Sequence, residues 1–129
     1  MNSIRVKPIE SVNGIKFGTS REEVRKQMGE SFSEFKKSKF SKNTTDDFGF
    51  CHIYYDSDDN VEAFEIFDDV EVLIDDKVVF PADISIIASV INDLVDDGDG
   101  FISKSYSVGI SMNEGNMECI LFGKEGYYN

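Results

Sequence analysis

Along the chain, apolar positions recur in blocks that switch between the helical and the strand period. Gly18-Thr19-Ser20-Arg21-Glu22-Glu23-Val24 opens the first block, with Ser20 as N-cap and Glu23 as its partner in a capping box. Val24 and Met28 lie four apart on one face and Gly29 follows as a left-handed stop, which predicts a short first helix. Phe32, Phe35 and Phe40 then stand among Lys36, Lys37, Lys39 and Lys42, and the polar run Asn43-Thr44-Thr45-Asp46-Asp47 predicts a mobile connection. The aromatic stretch Phe48 to Tyr55 and the stretch Val61 to Phe67 flank Asp56-Ser57-Asp58-Asp59-Asn60, a first hairpin. Val70 to Ile74 and Lys77 to Phe80 flank Asp75-Asp76, a second and tighter one with Val70, Val72 and Ile74 on one face. Ile84, Ile87, Ala88, Ile91, Leu94 and Val95 recur at helical spacing after Pro81 and Asp83, and Asp96-Asp97-Gly98-Asp99-Gly100 ends the run. This is expected to be the better-formed helix. Val108, Ile110 and Met112 alternate, Asn113-Glu114-Gly115-Asn116 turns, and Met117 to Phe122 returns as a third hairpin.

The expectation is a single α+β domain over residues 1–129, with two helices packed on one face of a mostly antiparallel sheet built from about three hairpins. The two halves share an order: a Phe (Phe17, Phe80), a cap (Ser20, Asp83), a helix, then a hairpin. Asn60-Val61-Glu62-Ala63 matches Asn116-Met117-Glu118-Cys119 in character. That suggests a diverged α-β-β repeat joined by the Val70 to Phe80 hairpin, although helix-then-hairpin units also arise independently.

Charge changes the picture from fold to partner. The net charge is −12, and it is unevenly spread: residues 1–42 hold ten bases and five acids, residues 43–129 three bases and twenty acids. An acidic chain of pI about 4.3 is unsuited to neutralising phosphates or docking on an anionic membrane, so neither nucleic acid nor membrane is expected as a partner. It is suited to attracting a cationic one, and plain solubility is the simpler account of the same charge. The longest apolar run is Cys119 to Phe122, far short of the roughly 20 residues of a spanning helix. Residues 1–14 lack the apolar segment of a secretory signal and two cysteines are too few for a disulfide framework, so a cytoplasmic protein is expected.

No catalytic residues, metal site or cofactor are expected. Cys51 and His52 are adjacent on a strand and point to opposite faces, which excludes a nucleophile and base pair; His52 with Cys119 across the sheet stays open, the alternative being two core thiols. Asp97-Gly98-Asp99-Gly100-Phe101-Ile102 resembles the centre of a calcium loop, but Val95 and Tyr106 fall where carboxylates are needed. Asp56 to Val61 fails similarly, with Val61 at the glycine position and Phe67 at the last. A calcium- or small-ligand-binding module is the alternative reading. Carboxylate-pair hydrolysis has no two acids that stand out and no Trp to bind a sugar. The candidate partner-binding residues are the acids at predicted element ends, Asp56, Asp58, Asp59, Asp68, Asp69, Asp75, Asp76, Asp96, Asp97 and Asp99, with Tyr106 as an aromatic anchor. If the hairpins form one sheet, several of these acids would rim one edge. Turns favour Asp in any case. Tyr127 and Tyr128 are either interface residues or a cover for the sheet.

Three segments together carry a resemblance: Gly14-Ile15-Lys16-Phe17-Gly18-Thr19-Ser20-Arg21-Glu22-Glu23-Val24; Ile53-Tyr54-Tyr55-Asp56 with Val61-Glu62-Ala63-Phe64-Glu65; and Ile120-Leu121-Phe122-Gly123-Lys124-Glu125-Gly126-Tyr127-Tyr128. The chain resembles the small acidic immunity proteins of bacterial polymorphic and contact-dependent toxin systems. The resemblance implies a non-enzymatic inhibitor, monomeric when free, that binds a basic cognate toxin, commonly a nuclease, and occludes it. The helix opening is also similar to those of β-lactamase-inhibitor-like and outer-membrane-assembly lipoprotein folds, whose export signal and lipid-anchor Cys are not found here.

Overall fold

A computed structural model describes residues 3–29, 31–36, 38–40, 43–67 and 70–129. The chain forms β1 (Ser3–Lys7), β2 (Ser11–Val12), β3 (Ile15–Lys16), α1 (Arg21–Met28), β4 (Ser33–Phe35), β5 (Thr45–Asp47), β6 (Cys51–Tyr55) and β7 (Val61–Phe67). It continues with β8 (Glu71–Ile74), β9 (Lys77–Phe80), α2 (Ile84–Val90), β10 (Val95–Asp96), β11 (Gly100–Ser103), β12 (Val108–Asn113) and β13 (Asn116–Gly123). One sheet has the order β3-β2-β1-β8-β9, with β1 and β8 parallel; the other, β10-β11-β12-β13-β7-β6-β5-β4, is antiparallel throughout. Ile4, Val6, Val72 and Phe80 of the first sheet share one core with Ile53, Phe64, Ile120 and Phe122 of the second.

This overturns the expected α+β arrangement. Strand takes 49% and helix 12% of the described residues, and two sheets replace a three-hairpin sheet carrying helices. The expected turns are present: Asp75 and Asp76 both take positive φ, 51° and 64°, the mirror-image turn whose twist suits a two-residue hairpin. Ser20 is the N-cap of the first helix as read, Glu23 N–H donating to its Oγ at 3.3 Å. The second is shorter than its pattern. It ends at Val90, and Leu94 and Val95 lie beyond it, Val95 starting β10. The β-branched Ile91 leaves the helix as an extended C-cap (φ −119°, ψ 105°), since β-branched residues gain little from helix and the chain gains a fourth strand pairing instead. The predicted mobile connection is strand β5, with Thr45 and Asp46 buried.

The eight-stranded sheet is two four-stranded meanders meeting at β7 and β13. Glu34, Asp46, Ile53 and Phe64 lie in one cross-strand row of the first, and Asp96, Phe101, Ile110 and Ile120 occupy the same positions in the second. The two inner hairpins, β6–β7 and β12–β13, shift register at the equivalent step, between Tyr54 and Tyr55 and between Ser111 and Met112. Each meander follows a helix, so the repeat is α-β-β-β-β and not α-β-β. The β8–β9 hairpin does stand between the two units, but in the other sheet, where the parallel β1–β8 pair ends the correspondence.

Gly100 is fixed by this packing, because an added Cβ would lie 1.8 Å from the Ile110 carbonyl oxygen of the neighbouring strand. Backbone cannot yield there. Gly100→Ala is expected to lower stability by about 3 kcal/mol, read as a lower urea midpoint; an unchanged midpoint would contradict the β11–β12 register.

Candidate functional site

Folding gives the two charge classes different fates. Gly18 N–H donates to Val61 O (2.9 Å) and Arg21 N–H to Asp59 O (2.9 Å), which sets the start of α1 against the β6–β7 turn. Arg21 and Arg25, one turn apart, then reach β5. Arg25 forks onto Asp46, Nε to Oδ2 at 2.9 Å and Nη2 to Oδ1 at 2.7 Å, and Arg21 Nη1 donates to Oδ1 at 3.2 Å. Tyr55 Oη donates to Asp46 Oδ2 at 2.8 Å, and the Arg21 guanidinium lies 4.0 Å from the Tyr55 ring centroid. Arg21 Nε also pairs with Asp59 at 2.9 Å. Asp46 is fully buried, a position a carboxylate holds only when paired and hydrogen-bonded. The hydrogen bond to Asp46 raises Arg25 above the ordinary guanidinium range, and burial, then the bond to Asp46, pushes Tyr55 up.

The acidic turns divide. Asp59 is spent on Arg21 and Asp76 on Arg5. Asp56 Oδ1 accepts from the Asp58 and Asn60 amides and Asp96 Oδ1 from the Gly98 amide, the Asx geometry that makes Asp a turn residue. Among the described residues, Asp58, Asp75, Asp97 and Asp99 are exposed with no side-chain hydrogen bond or ion pair. Asp68 and Asp69 lie outside the described residues. The acids do not gather on one edge: the 56–60 turn is at one end of the eight-stranded sheet, the 97–99 turn at the other, and Asp75 and Asp76 are on the five-stranded sheet.

Two of the predicted residues do converge. A groove of about 470 Å³ opens where β1, β8, the end of α2 and the 104–107 turn meet, and both Asp75 and Tyr106 line it. Ile9, Ile74, Val90 and Ile91 form apolar walls, and Lys7 and Glu10 complete the charged lip. Tyr106 is placed from below: Asp93, just after α2, accepts from Ser103 Oγ (2.6 Å) and Ser105 Oγ, and the Tyr106 amide donates to Ser103 Oγ at 3.1 Å. Those hydroxyls hold the Asp93 carboxyl below the usual range, as the Thr44 hydroxyl and Arg25 hold Glu34. Sequence reading missed Ile9, whose surroundings are polar and whose role depends on a turn.

The outer face of the large sheet carries the other candidate chemistry. His52 and Cys119 share this face with Glu65 between them, Cys119 Sγ 3.6 Å from one Glu65 oxygen and His52 Nδ1 3.9 Å from the other. The thiol faces a carboxylate and not the imidazole. Burial raises both thiols, Cys51 to about 12, so neither is a ready nucleophile. Tyr127 and Tyr128, edge to face with each other, pack over this face where Gly123 and Gly109 leave room; a Cβ on Gly109 would lie 2.1 Å from Tyr128 Oη. Among the described residues no three His, Cys, Asp or Glu side chains converge on a point that could hold a metal ion, and no helix is long and apolar enough to cross a membrane.

Compared with protein-family models, curated proteins and solved structures, the chain matches none. The functional reading therefore rests on the geometry above.

Removing Asp46 leaves two guanidinium groups facing a desolvated hole, so Asp46→Ala should lower stability by about 3–5 kcal/mol. The second repeat has Ile84, Ala88 and Phe101 where the first has Arg21, Arg25 and Asp46. The triple change Arg21→Ile, Arg25→Ala, Asp46→Phe is therefore expected to be more stable than Asp46→Phe alone, read from denaturation midpoints. Glu34 and Asp93 give a second expectation. With folded-state values below their unfolded ones, their contribution is present above the ordinary carboxylate range and disappears as pH falls through the lowered values. Asp93→Asn should flatten the acid limb of the stability curve, and an unaltered limb would remove Asp93 from the account.

Proposed function

We propose that this protein is a non-enzymatic immunity protein, a cytoplasmic inhibitor that binds a basic bacterial toxin domain, in the first instance a nuclease, and occludes it. The observation that carries the reading is the surface that folding leaves. Two arginines of the basic first third turn inward onto Asp46, while Asp58, Asp75, Asp97 and Asp99 stay exposed and unpaired among the described residues. Arg21 and Arg25 are paired with Asp46, Asp59 and Glu34, so neither is a free surface cation and the exterior keeps the acidic balance of the composition; a strongly negative surface speeds encounter with a cationic partner.

Co-expression with the domain encoded immediately upstream tests this. Growth rescue and a stoichiometric complex are expected, with association slowing as salt rises from low to physiological. Reversing Asp58, Asp97 and Asp99 to Lys together should slow association by about tenfold or more while leaving dissociation nearly unchanged. A neighbour that kills regardless and does not bind would end the immunity reading.

A further inference from the structure

We infer that the groove between Ile9, Ile91 and Tyr106 is a receptor for an arginine side chain presented by the cationic partner, an inference that rests on the functional reading above and gives it a contact point. A lining of two carboxylates, Glu10 and Asp75, against one ammonium, Lys7, leaves the lip net negative. Arg5 lies on the neighbouring Asp76, and Asp75 keeps its oxygens unpaired among the described residues. A guanidinium on Tyr106 would have a ring face to stack on, a carboxylate to fork onto, and apolar walls for its methylenes. The chain already builds that arrangement once for itself: Arg21 lies 4.0 Å over the Tyr55 ring with its Nε on Asp59. A volume of about 470 Å³ admits such a side chain with backbone on either side.

A strained residue forms one wall. Glu10 N–H donates to Lys7 O at 3.0 Å, closing a turn around Pro8 and Ile9, and Ile9 has φ 61° at the turn position that favours Gly or Asn. A β-branched residue is a genuine outlier there. Strain of this kind persists where the surrounding structure fixes it and clusters at binding sites; here a parallel bridge to Lys124 holds Ile9, and its side chain walls the groove.

The test is an amide-resolved NMR titration of the full chain with the tripeptide Gly-Arg-Gly, against Gly-Lys-Gly and Gly-Glu-Gly, up to tens of millimolar. Shifts confined to the 6–10 turn, Ile74, Val90, Ile91 and Tyr106 are expected, with the arginine peptide binding several-fold more tightly than the lysine one. Asp75→Asn, which keeps the turn conformation, and Tyr106→Leu, which keeps an apolar body, should each weaken binding several-fold. Ile9→Asn should lose binding without lowering the thermal midpoint. No shifts, shifts spread equally over Asp58, Asp97 and Asp99, or equal binding of the lysine peptide would each overturn the inference. All three would leave rescue by co-expression intact. Conversely, arginine seated in the groove without rescue would remove the immunity reading and leave the site.

Discussion

Asp46 is a carboxylate without solvent in the second strand of the first meander, and much of the first half depends on how its charge is met. Its two oxygens receive four hydrogen bonds, from Arg21, twice from Arg25 and from Tyr55. These draw on α1, β5 and β6, and the same Arg21 reaches the β6–β7 turn through Asp59. An eight-residue helix is marginal alone. Here the ion pairs fix its position and rotation against the sheet, and only Val24 of its apolar side is fully buried. Burying such a network yields little net stability against an apolar alternative, but each member is expensive to lose.

The internal repeat shows that alternative in the same molecule. At the positions of Arg21, Arg25 and Asp46 the second unit has Ile84, Ala88 and Phe101, so helix and strand changed character together. The second set is looser, with Ala88 exposed and Phe101 half-buried, and a mixture of the two would leave a charge without a partner. The polar version buries Arg21 with Asp46 and leaves Arg25 half-buried, bridging Asp46 and Glu34.

The hairpins were legible because alternation and turn chemistry act locally: Asp56 to Asn60, Asp75-Asp76 and Asn113 to Asn116 are all turns. So was the first helix cap. What sequence could not disclose was pairing between distant segments. Asp46 read as loop because its charge is met by arginines twenty or more residues away and by Tyr55 of the next strand. β1 alternates strictly over Ser3 to Lys7 and was legible as a strand, whereas β2 and β3 have two residues each, too few to mark, and pair with β1 and each other. The second helix pattern continued through Val95 on periodicity alone, and tertiary pairing with β11 overrode it. Of the candidate site, Asp75 and Tyr106 were readable as residue types, but their meeting at one groove depends on how both sheets fold.

The conformational outlier at Ile9 lies next to exposed acids at a lip that Tyr106 overlooks. Each of these features has a bland explanation alone: turns carry Asp, sheet rims carry Tyr, and an outlier can be an accident of a tight connection. Together they are harder to dismiss. A turn of this class would be less strained with Gly or Asn at its third position, so the local backbone does not select Ile9. Asp93 adds to this, since two serine hydroxyls from the 103–105 stretch are spent on it to fix the turn that carries Tyr106. A surface that served only solubility would need neither the apolar wall nor the positioned ring, whereas a site for one cationic side chain uses both.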